Sequence, residues 1–280
     1  MTAPASRSGR NPTSREHLLK VRGITVEFGG VRAVDDLTLE VDRGEVVGLI
    51  GPNGAGKTSA LNAIGGSVRV RSGTIHFKGV DITNVPVRRR PFLGIARTFQ
   101  GVELFPTLTV MENLLLGRHH AMRSGVIAAG LYLGRTRREE RIHRARASEV
   151  AARLGIESVL DELVGELPFG MQKYVGIGRA ICAEPELLLL DEPASGLTQP
   201  ERERLTLLLR ELMQEMGAGI LWVEHDVPMV RQLAGRAIAL HLGSVLAEGA
   251  PDDVLSRPQV RAAFLGIQAD TASTGVDDDR

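Results

Sequence analysis

Gly51-Pro52-Asn53-Gly54-Ala55-Gly56-Lys57-Thr58 follows directly on Val46-Val47-Gly48-Leu49-Ile50, and this stretch decides how the rest of the chain is read. The five leading residues are almost wholly apolar, as a strand buried on both faces requires. The next eight fit Gly-x-x-x-x-Gly-Lys-[Ser/Thr], a pattern that average residue usage produces by chance in about one chain of this length in a hundred. A helix is expected from Lys57 to about Ile64, and the order strand, glycine-rich loop, helix is the context that gives the pattern its meaning. Glycines at 51, 54 and 56 let the backbone wrap an anion without Cβ clashes, and the loop N–H groups and helix N-terminus point at it. Lys57 then reaches the β- and γ-phosphates of a nucleoside triphosphate, and the Thr58 hydroxyl is placed for Mg²⁺.

Leu187-Leu188-Leu189-Leu190-Asp191-Glu192 is the second informative stretch. A four-leucine strand that ends in two carboxylates brings charge to the carboxyl edge of a sheet, where open α/β folds bind ligands. Asp191 is expected to hold Mg²⁺ through its water shell, and Glu192 to act as general base on an attacking water.

Working outward, Leu18 to Phe28 and Val31 to Val41 read as strands, with a turn at Asp42-Arg43-Gly44. Thr74 to Phe77 reads as another strand, with Lys78-Gly79 as a turn. From about Arg90 to Leu167 the pattern becomes mostly helical, and Ile142, Ala145, Val150, Ala151 and Leu154 fall near helical spacing. Strands return at Leu187–Leu190, Ile220–Val223, Ala237–Leu240 and Ser244–Ala247, with short helices at Pro251–Leu255 and Pro258–Leu265. This is an α/β chain with a helical insert.

Composition narrows the function classes. Hydrophobic residues make up 43% and charged residues 24% of 280 residues, the balance of a globular chain. Lys+Arg and Asp+Glu are both 34, so the basic excess of a general nucleic-acid or anionic-lipid binder is missing. Cys182 is the single cysteine, which excludes an intrachain disulfide and a cysteine zinc cage; it is expected to pack as a small apolar residue. The longest candidate for a membrane span, the ten-residue uncharged run Gly125 to Gly134, is about half of the roughly 20 apolar residues a spanning helix needs. Residues 1–15 read as a disordered leader and 267–280 as a flexible tail.

Taken together, these motifs resemble the ATPase subunits of ATP-binding-cassette (ABC) transporters, over about Leu18 to Gly266. The resemblance implies the ABC ATPase fold: a P-loop NTPase core, an antiparallel β subdomain and an inserted α-helical subdomain. It implies one such domain over 16–266, with the core at 16–91 and 168–266 and the insert at about 92–167. The nucleotide would be held by Gly51, Pro52, Asn53, Gly54, Ala55, Gly56, Lys57, Thr58 and Ser59. Phe28 stands where the family places an adenine-stacking aromatic. Gln100, in Arg97-Thr98-Phe99-Gln100, matches the glutamine that senses Mg²⁺ and the lytic water. Metal ligation would fall to Thr58, Gln100 and Asp191, and catalysis to Glu192, Gln100 and His225, the last matching the switch histidine in Trp222-Val223-Glu224-His225-Asp226.

Two segments depart from the family pattern. The usual Leu-Ser-Gly-Gly-Gln signature, which opens a helix facing the partner subunit's γ-phosphate, is Leu167-Pro168-Phe169-Gly170-Met171, with Arg179 keeping the downstream arginine. Pro168 lacks the serine's hydroxyl and N–H, while Gly170 keeps an N–H and allows close approach to nucleotide. In the D-loop, Ser195-Gly196-Leu197-Thr198, the usual aspartate is Thr198.

Phe28-Gly29-Gly30, Arg97-Thr98-Phe99-Gln100, Leu104-Phe105, Leu108-Thr109-Val110-Met111-Glu112-Asn113-Leu114 and Ala263-Phe264-Leu265-Gly266 resemble the branched-chain amino-acid importers within the family. That resemblance implies ATP and Mg²⁺ as cofactors. It also implies a second ABC ATPase subunit, transmembrane permease subunits at the cytoplasmic face of the membrane, an extracytoplasmic substrate-binding protein as indirect partner, and no nucleic acid. One P-loop and no long heptad arms weigh against the soluble relatives of DNA repair and translation, and an intact Glu192 and Gln100 against a regulator without turnover. Phe99, Val102, Leu104, Phe105, Leu108 and Val110 are expected to form an exposed apolar docking patch for a permease helix. The charged run Arg135–Arg146 is expected to be a solvated helix face, and His119-His120 to be surface residues and not metal ligands.

Overall fold

The computed structural model describes residues 17–98, 104–121 and 134–265. The leader and tail, Gln100 with its neighbours Phe99 and Val102, and all of the Gly125–Gly134 run except its last residue lie outside the described residues. Two sheets organise the chain. The first is antiparallel, in the order β2 (Val31–Val41), β1 (Leu19–Phe28), β4 (Ser72–Phe77), β5 (Val80–Asp81). The second has the order β10 (Ser244–Gly249), β9 (Arg236–His241), β3 (Val46–Ile50), β8 (Gly219–Val223), β7 (Leu187–Asp191), β6 (Ile95–Arg97). Its strands run parallel from β9 to β6, and β10 is antiparallel at the edge.

Strand alternation divides the interior in two. Leu187 and Leu189 of β7, with Leu221 and Val223 of β8, face a core shared with the antiparallel sheet and helix α1 (Lys57–Ile64), which contributes Ala60, Leu61 and Ile64. Leu188, Leu190, Ile220 and Trp222 point the other way, into a core closed by helices. Those helices are α2 (Val110–Gly117), α3 (Gly134–Leu154), α4 (Phe169–Cys182), α5 (Gln199–Met216) and α6 (Val227–Leu233). The central strands thus carry apolar residues on both faces, as their sequences require. Two short helices, α7 (Pro251–Ser256) and α8 (Pro258–Leu265), end the described chain. No helix among the described residues is long and apolar enough to cross a membrane.

Three details differ from the sequence reading. Ile95–Arg97 is a strand in the core sheet, paired to Leu187–Leu189, although it falls inside the stretch read as helical insert. In α3 the buried face is His143, Ala147, Ala151 and Leu154, while Ile142 and Ala145 are exposed. His143 takes the core position because its Nδ1 accepts a hydrogen bond from Arg118 Nε at 2.8 Å, so the polar ring is satisfied where it is buried. The docking patch is also broken up: Val110 is fully buried and Leu104 and Leu108 are half-buried, leaving Phe105 exposed. Asn113, itself buried, ties down this loop by accepting from the Phe105 N–H at 3.0 Å and donating to the Thr109 carbonyl at 3.0 Å. Thr109 and Glu112 cap α2 through each other's side chains. Cys182 is buried, as expected, and burial pushes its thiol up to about 12.

Candidate active site

The carboxyl ends of β3, β8 and β7 lie side by side, so the residues that follow each strand converge. After β3 the chain turns sharply through Gly51 at φ 147° and enters α1 through Gly56 at φ 98°. A Cβ at Gly51 would run into the Leu240 carbonyl, and one at Gly56 into the Ala33 carbonyl, so both positions require glycine on two counts. The loop wraps a cavity of about 500 Å³ lined by Ala33, Asn53, Gly54, Ala55, Gly56, Lys57, Thr58, Ser59 and Glu192. Lys57 is 5% exposed, and its Nζ donates to the carbonyls of Gly51 (2.8 Å) and Pro52 (2.9 Å). Burial pushes its ammonium below the ordinary lysine range, opposed by the negative charges of Glu192, Asp191 and Glu224.

Asp191 closes β7 with a fully buried carboxylate. One oxygen accepts from the Thr58 hydroxyl at 3.2 Å and the other pairs with Arg97 Nη2 at 3.2 Å. Burial raises its pKa, and the Arg97 guanidinium pulls it back down. Glu192 follows in the left-handed region, at φ 46°, with its N–H donating to the Val223 carbonyl of β8 at 3.0 Å. His225 follows β8, with Nδ1 4.0 Å from Glu192 Oε1 and 3.4 Å from Glu224 Oε1. The loop after β3 and the end of β7 thus bring together a buried ammonium, an oxygen pair from Thr58 and Asp191, and the Glu192 carboxylate at the wall of the cavity. Among the described residues no cluster of three or more His, Cys, Asp or Glu could hold a metal alone. A single carboxylate plus one hydroxyl suits Mg²⁺, which keeps waters and takes further oxygens from a bound phosphate.

Residues 34–195 match the family model described as "ABC transporter". The chain belongs to the ABC transporter family. It is 36% identical over 249 residues to the high-affinity branched-chain amino acid transport ATP-binding protein LivG of Escherichia coli K12, covering 89% of this chain and 98% of LivG. Among solved structures, the ADP conformation of MJ1267, an ATP-binding cassette of an ABC transporter, superposes with TM-score 0.77 at 30% identity, over 89% of this chain and 99% of that one. A dimeric post-hydrolysis state of the cassette MJ0796, bound to ADP and Pi, gives 0.71 at 27% identity, over 83% and 98%. The chain has the ABC ATPase fold, binds ATP and is the ATP-hydrolysing subunit of a transporter.

Within this ABC ATPase, Phe28, the signature segment and the D-loop are not among the residues that line the P-loop cavity. Phe28 is half-exposed at the end of β1 and does not line it. Pro168 is the N-cap of α4, and its carbonyl accepts from the Gln172 N–H at 3.1 Å, so the proline starts the helix instead of breaking it. Gly170 packs against the Glu201 side chain, and Phe169 against Gly196, which docks the signature segment on the D-loop of its own chain. Thr198 is the N-cap of α5; its N–H (2.8 Å) and hydroxyl (2.7 Å) donate to the Glu201 carboxylate. An ionised aspartate has no hydrogen to give to Glu201, so the threonine hydroxyl makes a contact here that an aspartate side chain would not.

Sequence reasoning passed over three site residues. Arg97 was quoted only as part of a motif, yet it pairs with Asp191. Glu224 is fully buried beneath His225, its Oε1 accepts the His225 N–H at 3.0 Å, and burial raises its pKa. A carboxylate at the end of an apolar strand was the available signal. Lys173 sits in α4 behind Glu192 and had none beyond being one of four lysines. An apolar opening among the described residues lies elsewhere than the expected patch. It is a groove of about 400 Å³ between 87–97 of the core and the helical layer, with Phe92 66% exposed beside Val87, Leu116 and His120. His119 and His120 line it, and the His120 ring stands edge-on to Phe92.

Proposed function

We propose that this ABC ATPase powers the import of branched-chain amino acids. The observation that carries the reading is the match to LivG, which runs over 249 residues and spans 98% of that protein. It supports transport over a role in DNA repair or translation.

In the reading proposed here, the Lys57 ammonium exchanges the two neutral carbonyls it now holds for β- and γ-phosphate oxygens, a stronger charge-assisted pairing. The N–H groups of residues 51–59 surround the same phosphates. Thr58, Asp191 and Gln100 would hold Mg²⁺, which would supply charge neutralisation for the bound phosphates. Glu192 faces the cavity and takes a proton from water as its oxygen attacks the γ-phosphorus, with ADP as leaving group. His225, within 4.0 Å of Glu192, contacts the γ-phosphate and helps hold that carboxylate in place. Phe28 stacks on adenine. Gly170 of a second ABC ATPase subunit presents its N–H to the nucleotide, so two copies or two related chains close around ATP.

Membrane attachment comes from permease subunits, which dock a short cytoplasmic helix in the groove of Phe92 and Leu116. The protein then sits at the cytoplasmic face, and an extracytoplasmic binding protein delivers substrate to the permeases. Uptake of radiolabelled leucine, isoleucine and valine by cells lacking this chain tests the reading. Uptake should fall and return with the wild-type chain, not with Lys57→Met. Unchanged uptake of all three would refute the substrate assignment.

A further inference from the structure

Lys173 stands one and a half turns into α4, the helix that the signature segment opens. It is 8% exposed, and burial pushes its ammonium below the ordinary lysine range while Glu224, Glu192 and Asp191 pull the other way. Its Nζ donates to the backbone carbonyl of Glu192 at 3.2 Å and lies 5.6 Å from the centre of the Phe169 ring. The Glu192 carbonyl also accepts from the Ser195 N–H at 3.1 Å, and its N–H is held by Val223. Glu192 needs such restraint, because a side chain-bearing residue at φ 46° persists only where its surroundings enforce it.

We propose that Lys173 is a positioning residue for hydrolysis: it ties the signature helix to the backbone of Glu192, so that the aim of the carboxylate depends on where that helix sits. What this position supplies is a charged donor to the Glu192 carbonyl, a contact that an ammonium or a guanidinium can make and an uncharged apolar side chain cannot. Phe169, on the same helix turn, packs at once on the D-loop residue Gly196 and under the Lys173 charge. Contact of the signature segment with a partner's nucleotide therefore has a short covalent and polar path to this chain's own Glu192. The inference rests on the reading of Glu192 as general base.

The test compares purified Lys173→Met and Lys173→Arg with the wild-type chain, reading kcat, KM and the Kd for ATP. Lys173→Met keeps the stem and removes the donor. It should lower kcat about 10²-fold, the usual cost of misplacing a reacting group by about 1 Å. Kd should stay within about threefold, and Lys173→Arg should recover to within about tenfold of wild type. In a Glu192→Gln background, Lys173→Met should add less than about a threefold loss, because both act through one group. Should Lys173→Met fail to fold, Lys173→Gln carries the same comparison. The proposal is overturned if a folded variant keeps wild-type kcat. It is equally overturned if kcat and Kd worsen together, if Lys173→Arg is as defective as Lys173→Met, or if the two substitutions multiply. Glu192→Gln with wild-type turnover would instead remove the general-base reading itself.

Discussion

Lys57→Met separates nucleotide binding from folding, because losing this side chain has opposing effects that cancel in folding but not in binding. In the nucleotide-free protein the buried ammonium donates to the carbonyls of Gly51 and Pro52. Losing two hydrogen bonds from a charged donor costs about 1.5–3 kcal/mol each. Against that stands the desolvation of a buried cation, several kcal/mol per ion, which methionine does not incur. The lowered pKa of Lys57, caused first by burial, marks that cost. The two effects nearly cancel, so the nucleotide-free Tm should move by no more than about 5 °C, at about 2–4 °C per kcal/mol for a domain of this size. Binding has no such cancellation: two charge-assisted contacts to phosphate are lost, about 3–6 kcal/mol, raising Kd about 10²–10⁴-fold. Scanning calorimetry with and without ATP at about 100 times the wild-type Kd reads both. The wild type gains about 2.7 kcal/mol from ligand, or about 5–10 °C, and the variant should gain nothing. A variant that keeps the ATP-dependent shift, or that unfolds without nucleotide, would refute the reasoning.

Further expectations concern the groove and the helical layer. Phe92→Asp should release the protein from membranes and abolish uptake while the isolated subunit keeps its ATPase rate, since Phe92 is exposed and outside the P-loop cavity; unchanged recovery with membranes would count against the docking groove. His143 is held below the usual histidine pKa of 6.5, first by burial and then by the Arg118 charge. The unfolded chain therefore binds the proton first, and stability falls as pH drops from about 6.5 through the lowered folded value. His143→Gln should flatten that loss, so equal falls in Tm between about pH 7 and 5 for variant and wild type would contradict it.

How far the fold and site were legible follows from how local each signal is. β3 with its loop, and Leu187–Asp191, carry their meaning in consecutive residues: an apolar strand ending in chemistry that a sheet edge needs. Thr198 was a departure from pattern on paper, and the structure gives it a local reason, the cap of α5. The residues that were missed act across the fold. Arg97 meets Asp191 only because β6 pairs with β7, and a three-residue strand has too little alternation to stand out against a helical stretch. Lys173 reaches Glu192 through helix–sheet packing, which spacing does not reveal. His143 replaced Ile142 on the buried face because its partner, Arg118, is on another element. Val110 looked like surface for the converse reason: the helix it begins is capped and folded into the core.

The central claim, that this chain hydrolyses ATP with Glu192 as base, is tested most directly by Glu192→Gln. The amide keeps the shape of the side chain beside the cavity and removes its basicity. Single-turnover hydrolysis and sedimentation should be measured on the same purified sample with ATP and Mg²⁺. The account predicts wild-type ATP affinity, hydrolysis slowed about 10²–10⁴-fold, and a stable ATP-bound dimer. Hydrolysis at the wild-type rate, with no dimer retained, would contradict it.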